Sequence, residues 1–213
     1  MRRSRIYFFS PDVCSIPIKK TERRDVYLVK YNYFEDLEKL SELSLSAVCL
    51  ACGTEEKANI SDIRRECDRL VCKTEDALFS DFLPPLERDN IAATAHCLSR
   101  IIDTVSELTS DPSATATFMK TNEEAAVCIK LSEELRNGIF LLRRIRKPDE
   151  NPDLQGYRQL LSEGRNAHKR MLAKVRSGAL SKKHAEAIIL TGRLRSELST
   201  AFDELIEIML NNI

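Results

Sequence analysis

The sequence predicts an all-α fold of six long helices, and three observations lead to this prediction. The chain has only six glycines and no tryptophan, and 31% of its residues are charged, which suits amphipathic helices better than sheets. Apolar residues recur every three or four positions, as they do when one face of a helix is buried. A shift of about 100 residues lays the second and third helices on the fifth and sixth. The expected architecture is therefore two tandem three-helix bundles that share an interface.

The apolar stripes, with the glycines and prolines that end them, give the approximate position of each helix. The predicted ranges are about 21–52, 55–79, 85–110, 120–146, 150–177 and 181–212. The clearest stripes are Ile91, Thr94, Leu98, Ile101, Val105 and Leu108 in the third helix and Leu194, Leu198, Ala201, Leu205 and Ile208 in the sixth. Ser177 and Gly178 close the fifth helix, where glycine fits a left-handed cap. The stretch "DVYLVKYNYF" would suit a strand, but a single strand would have no partner, so it is assigned to the first helix.

These helices divide the chain into an N-terminal extension and two units within one compact domain. The extension covers residues 1–20, the first three-helix unit residues 21–111 and the second unit residues 119–213. The linker between the units, "TSDPSATATFMK", is small and polar with one proline.

Charge and cysteine content exclude several classes of function. Lysine plus arginine and aspartate plus glutamate both number 33, so the chain lacks the basic field of a nucleic-acid-binding protein. Its apolar runs fall short of the roughly 20 residues that cross a bilayer. The start, "MRRSRIYFFSP", has too short an apolar run for a secretory signal, so we expect a cytoplasmic location. The seven cysteines are then expected to be reduced thiols.

One stretch near the middle of the chain resembles a known family. Its matching residues are Phe82, Pro85, Arg88, Asp89 and Ile91, followed by Ala95, Leu98 and Asp103. They resemble a signature of PhoU-like phosphate-transport regulators, in the branch that accompanies low-affinity Pit-type transporters. "IRRECDRL" from Ile63 and "LSTAFDELIEI" from Leu198 are similar to two further family motifs. The family fold is a pair of three-helix bundles, and the six-helix layout covers the chain beyond about the first 20 residues.

This resemblance implies a function in binding and no enzymatic activity. The expected partner is a phosphate transporter at the membrane, which would place the protein in the cytoplasm at the periphery of the inner membrane. A second copy of the chain, in a homodimer, is a further candidate partner. Two alternatives stay open: a metal-binding helical bundle that is a metal-dependent enzyme or a storage or sensing protein, and a structural bundle whose partner is unrelated to phosphate.

The residues of the opening signature also have a physical interpretation. Pro85 is predicted in the first turn of the third helix, where its missing N–H would be unpaired anyway. Glu87 and Asp89 then lie beside the positive end of the helix dipole. Arg88 could pair with Asp81, Glu87 or Asp89 on the surface, which is the favoured interpretation, or it could fix the hairpin between two helices.

The family's metal sites suggest four candidate ligands in this chain. Many members carry acids four residues apart on two helices of each unit, which direct four carboxylates to one point and bind multinuclear iron. By this resemblance the second acid of each pair falls at Asp68, Asp103, His168 and Asp203, and the first acid at Arg64, Ser99, Gly164 and Ser199. None of the latter four is a carboxylate, so we expect no cofactor.

Two hypotheses follow from these missing acids. The Arg64 guanidinium replaces the ion in the first unit, where Asp68 one turn away could also pair with it. In the second unit, His168 and Asp203, with Glu163, could hold one transition metal such as iron or zinc weakly. The alternative for His168, which is favoured, is a neutral histidine packed in the bundle.

Other patterns give weaker indications. Four cysteines, Cys49, Cys52, Cys67 and Cys72, could gather zinc, but they lie in helical stretches and are better explained as buried thiols. A basic run, Arg143, Arg144, Arg146 and Lys147, ends the fourth helix and is interpreted as a solvated helix end, with an anionic membrane or partner as the alternative.

Overall fold

The computed structural model describes residues 31–54, 59–110, 123–144, 154–179 and 182–212, with the side chains of the last range described from Ala185 onward. These ranges contain six α-helices and no strand, which confirms the predicted all-α fold. The helices are α1 (Tyr33–Ala51), α2 (Ile60–Ser80), α3 (Arg88–Thr109), α4 (Glu123–Leu142), α5 (Leu154–Arg176) and α6 (Lys182–Asn212). The predicted extension, residues 1–20, lies outside the described part of the chain.

The helices pack in a pattern that is consistent with two three-helix units. Helices α1, α2 and α3 contact one another in every pair, and so do α4, α5 and α6. Helix α1 also packs against α4, and α3 against α6, so the two sets share an extensive boundary. The stripes predicted for α3 and for the second half of α6 are buried, as periodicity indicated.

The helices begin later than predicted, and for α1 and α3 the N-terminal residues give the reason. Asn32 caps α1, because its side chain accepts a hydrogen bond from the Glu35 amide. The helix was predicted to begin at about residue 21, and residues 21–30 lie outside the described ranges. Helix α3 begins at Arg88 instead of Pro85, so proline does not form its first turn. Buried Leu86 and Ile91 occupy the two positions of a hydrophobic staple around the N-cap residue Glu87. The core contact of Leu86 therefore sets where this helix can begin.

The end of α5 follows the sequence signal, whereas α4 ends earlier than the predicted residue 146. Helix α5 ends at Arg176, and Gly178 has a φ of 74°, so it takes the predicted left-handed conformation. Helix α4 ends at Leu142, before the basic run. The Arg143 guanidinium forms a 2.8 Å ion pair with Glu38 of α1, while Arg146 and Lys147 lie outside the described residues.

Buried thiols and phenols predict a loss of stability at alkaline pH. Burial raises the pKa of Cys67 to about 11 and the pKa values of Tyr33 and Tyr157 to about 12, above ordinary values of 9.0 for the thiol and 10.0 for the phenols. In the unfolded chain these groups ionise first, so the folded state binds more protons and loses stability as pH rises from about 9 towards 12. We expect the free energy of unfolding, measured by urea titration, to be constant at pH 7–8 and to fall above pH 9.

The variant Tyr33→Phe provides a check on this prediction. It removes one of the titrating phenols, so its stability should fall less steeply with pH than that of the wild type. Equal stability of the wild type at pH 8 and pH 11 would contradict the prediction.

Candidate functional site

In the first unit, Arg64 and Asp103 are two of the four positions at which the sequence resemblance predicts a metal site. The Arg64 guanidinium of α2 lies 3.0 Å from Asp103 Oδ1 of α3. The arginine therefore pairs across the two helices, with Asp103 and not with Asp68 on its own helix. Cys67, the residue before Asp68, contacts the Ser99 side chain, so Asp68 lies level with Ser99 on the facing helix. A side-chain cation thus meets one of the two remaining carboxylates of this cluster, which supports the hypothesis that Arg64 replaces an ion.

In the second unit, His168 bonds to a carboxylate that the sequence did not indicate. Glu124, near the start of α4, has a fully buried side chain. Its Oε1 accepts from Arg195 Nε of α6 at 2.9 Å, and its Oε2 accepts from His168 Nδ1 of α5 at 2.9 Å. These three residues, which we call the Glu124 network, join all three helices of the unit. Buried carboxylates are stable only when charge and hydrogen bonds compensate them, and here the guanidinium and the imidazole do so.

Two glycines make this network possible. A Cβ at Gly164 would lie 2.7 Å from Arg195 Cδ, and a Cβ at Gly192 would lie 2.5 Å from His168 Cε1. Both distances are shorter than a normal contact, so larger residues would push the arginine and histidine away from Glu124. Gly164, which the resemblance predicted at the position of a first acid, therefore has a packing function here.

The second pair of predicted metal ligands does not come together. Tyr157 donates a hydrogen bond to the Ser199 carbonyl at 3.1 Å, and its ring stacks on Phe202. Asp203 follows Phe202 and so lies level with Tyr157. His168 lies eleven residues further along α5, about 16 Å along the helix axis from Tyr157. His168 and Asp203 thus belong to different levels of the unit.

The two units consequently differ in how their last two helices pair. In the first unit residue 64 faces Asp103, and the 100-residue shift would make residue 164 face Asp203. Gly164 instead packs against Arg195, a displacement of about two turns along α6. The shift therefore relates the apolar stripes of the two units but not their helix pairing.

No three His, Cys, Asp or Glu side chains among the described residues lie close enough together to hold a metal ion. Metal binding by Asp68, Asp103, His168 and Asp203 stays a prediction. The cysteines of the zinc alternative also point in different directions. The Cys52 thiol donates to the Ala125 carbonyl of α4 at 3.6 Å, whereas Cys67 faces α3 and Cys72 is exposed. Burial raises the pKa of Cys52 to about 12, which disfavours the thiolate that zinc requires.

The first unit has a buried acid of its own. Asp36 of α1 is buried, and Lys73 of α2 lies 3.1 Å from each of its carboxylate oxygens. The Tyr31 hydroxyl donates to the same carboxylate, and the Lys73 ammonium lies 5.0 Å from the centre of the Tyr31 ring. Each unit therefore ties the N-terminal end of its first helix to a neighbouring helix through a buried carboxylate.

The burial of Glu124 has a signal in the sequence. Glu124 begins a stripe that continues through Cys128, Leu131, Leu135, Ile139 and Leu142. An acid in register with an apolar stripe is placed towards the core, where it needs a partner. The same periodicity that located the helices could thus have identified this buried acid.

The α2–α3 hairpin is fixed by Arg88, which corrects the favoured interpretation of that residue. The guanidinium donates to the backbone carbonyls of Leu78, Asp81 and Phe82 rather than to a carboxylate. Asp81 adds two further bonds, since its side chain accepts from the Tyr33 hydroxyl and from the Leu83 amide, both at 3.2 Å. The signature arginine therefore closes the end of α2 onto the start of α3.

Replacing Arg88 with alanine should loosen this hairpin. Hydrogen bonds to charged groups each contribute about 1.5–3 kcal/mol. We expect Arg88→Ala to increase the hydrogen exchange rate of the Leu83 amide and the rate of proteolysis within residues 81–87. Arg88→Lys should restore little, because an ammonium cannot reproduce the planar fork that meets several carbonyls. An exchange rate unchanged in Arg88→Ala would contradict this assignment.

The hairpin exposes a group of large apolar side chains. Phe79 is 91% exposed, Phe82 85% and Leu83 72%, all within five residues. Exposed acids stand beside them: Asp76 one turn earlier on α2, and Glu87 and Asp89 at the start of α3. These six residues are called the hairpin surface below.

No family model matches this chain, and no curated protein matches it. None of the helices in the described ranges is long and apolar enough to span a membrane.

Proposed function

We propose that this protein is a regulatory or accessory protein of phosphate transport that acts by protein–protein binding, as its resemblance to PhoU-like proteins implies. The observation that carries the proposal is the α2–α3 hairpin. The residues that define the resemblance form this hairpin, where Arg88 fixes the backbone and Phe82 projects into solvent. A fixed backbone that presents apolar side chains suits binding to a partner.

The charge at the first unit supports binding over metal chemistry. A bound cation needs free carboxylates as ligands. The Asp103 carboxylate is instead paired with the Arg64 guanidinium. In the second unit the imidazole of His168 is bonded to Glu124. His168 is therefore not a neighbour of Asp203. The proposed function therefore uses the protein's surface rather than a metal site.

Co-purification from native cells tests this proposal. The tagged protein should recover a phosphate transporter from detergent-solubilised membranes, and the same purification from cells that lack this transporter provides the control. Recovery of other membrane proteins without any phosphate transporter would overturn the assignment to phosphate transport.

A metal measurement separates the proposal from a metal-binding bundle. The wild type and the double variant Asp103→Asn, Asp203→Asn are purified without chelator and reloaded with iron, manganese and zinc. We expect equal metal content in the two proteins. Near-stoichiometric metal in the wild type that is lost in the variant would favour the metal-binding bundle instead.

A further inference from the structure

The hairpin surface has the exposure expected of a binding site. Single exposed apolar residues are common on proteins, but Phe79, Phe82 and Leu83 project within five residues of one another and each is more than two thirds exposed. Large aromatic side chains of this kind contribute most of the binding energy at protein interfaces.

The backbone beneath these side chains is fixed before any partner binds. Arg88 holds the carbonyls of Leu78, Asp81 and Phe82, and Asp81 holds the Leu83 amide. A loop that is already ordered loses less conformational entropy on binding, so more of the contact energy contributes to affinity.

The charges around the apolar group indicate the chemistry of the partner. Asp76, Glu87 and Asp89 are exposed acids, and Arg88 between the last two is exposed as well, with its guanidinium bonded to the carbonyls. Residues 76–89 hold four acids and one arginine, so the rim of the surface is negative on balance. It would repel an anionic lipid surface and attract a lysine- or arginine-rich segment.

We propose that the hairpin surface docks onto a basic protein segment with an apolar pocket, of the kind that flanks the cytoplasmic ends of membrane spans. Such segments carry an excess of lysine and arginine. The apolar side chains enter the pocket, and the three acids pair with the basic residues around it. This inference deepens the proposed function and rests on it only for the class of protein that carries the segment.

Site-specific photo-crosslinking in native cells tests the docking directly. A benzophenone amino acid replaces Phe82, and the crosslinked peptide is identified by mass spectrometry. The expected adduct is a peptide of net positive charge next to a membrane span. An adduct to lipid, an adduct to a peptide without excess positive charge, or no adduct at all would overturn the docking proposal. The same amino acid in place of Ile189, an exposed residue of α6, is the control and should give no such adduct.

A pair of matched variants tests the same surface by affinity. Phe79→Ser, Phe82→Ser, Leu83→Ser should recover the transporter at least roughly tenfold less well, because hot-spot side chains contribute that much or more. Ile189→Ser, Leu210→Ser removes two exposed apolar side chains of α6 instead and should recover it normally. Circular dichroism confirms that both variants are folded.

The outcomes of these experiments separate the two proposals. Equal recovery of the transporter by wild type and hairpin variant would overturn the docking surface and leave the proposed function intact. A basic segment from a protein unrelated to phosphate, crosslinked at position 82, would support the docking surface and overturn the proposed function.

Discussion

Glu124→Ala is expected to lower the free energy of unfolding by about 3–5 kcal/mol, because removal of one partner leaves a buried charge uncompensated. The Arg195 side chain is only 14% exposed, and its guanidinium would lose the carboxylate that it meets at 2.9 Å. His168 would lose its Nδ1 acceptor at the same time. Urea unfolding followed by circular dichroism measures the change.

The neighbouring acid offers a control for this variant. Glu123 is exposed and pairs with Arg170 on the surface, so Glu123→Ala should change the unfolding midpoint little. Glu124→Gln keeps an oxygen acceptor but loses the charge, so its stability should lie between those of the wild type and Glu124→Ala. If Glu124→Ala proved as stable as Glu123→Ala, the network would not stabilise the second unit.

The double variant Arg64→Glu, Ser99→Glu is expected to bind metal in the first unit. It would place four carboxylates at positions 64, 68, 99 and 103, on facing sides of α2 and α3. Without metal these like charges repel, so the variant should be less stable than the wild type. A metal present at 100 times its dissociation constant would then stabilise it by about 2.7 kcal/mol. Metal content after gel filtration and the thermal midpoint with and without iron measure the two effects.

A double variant that adds no carboxylate is the control for this experiment. Arg64→Gln, Ser99→Gln alters the same positions with side chains of similar size and should bind no additional metal. A glutamate double variant that stays metal-free under saturating iron would show that the four positions do not converge on one point, and the replacement hypothesis for Arg64 would fail.

Apolar periodicity predicted the number and approximate position of the helices, because a buried stripe depends on local sequence alone. The starts of α1 and α3 were predicted too early because they depend on particular contacts. Asn32 accepts the Glu35 amide and thereby fixes the start of α1. Leu86 must reach the core before α3 can begin. Such contacts involve one or two residues and leave no periodic signal.

The candidate site was harder to predict, because it depends on how helices pair. The resemblance predicted that His168 and Asp203 lie close together, which requires both units to pair their helices alike. The close contacts of Gly164 with Arg195 and of Gly192 with His168 set a different pairing in the second unit. Arg88 shows a second difficulty: its partners are backbone carbonyls, whose positions only the folded hairpin defines.

The ion pair between Arg64 and Asp103 also changes how the first unit depends on its surroundings. A bound ion stabilises a protein only in proportion to its free concentration, so the stability of a metal-closed bundle varies with nutrient supply and with competing chelators. The Arg64 guanidinium is part of the chain, so its local concentration beside Asp103 does not vary with the composition of the cell. At this position α2 and α3 therefore pair through a residue of the chain itself, and this half-exposed ion pair depends on ionic strength rather than on the supply of metal.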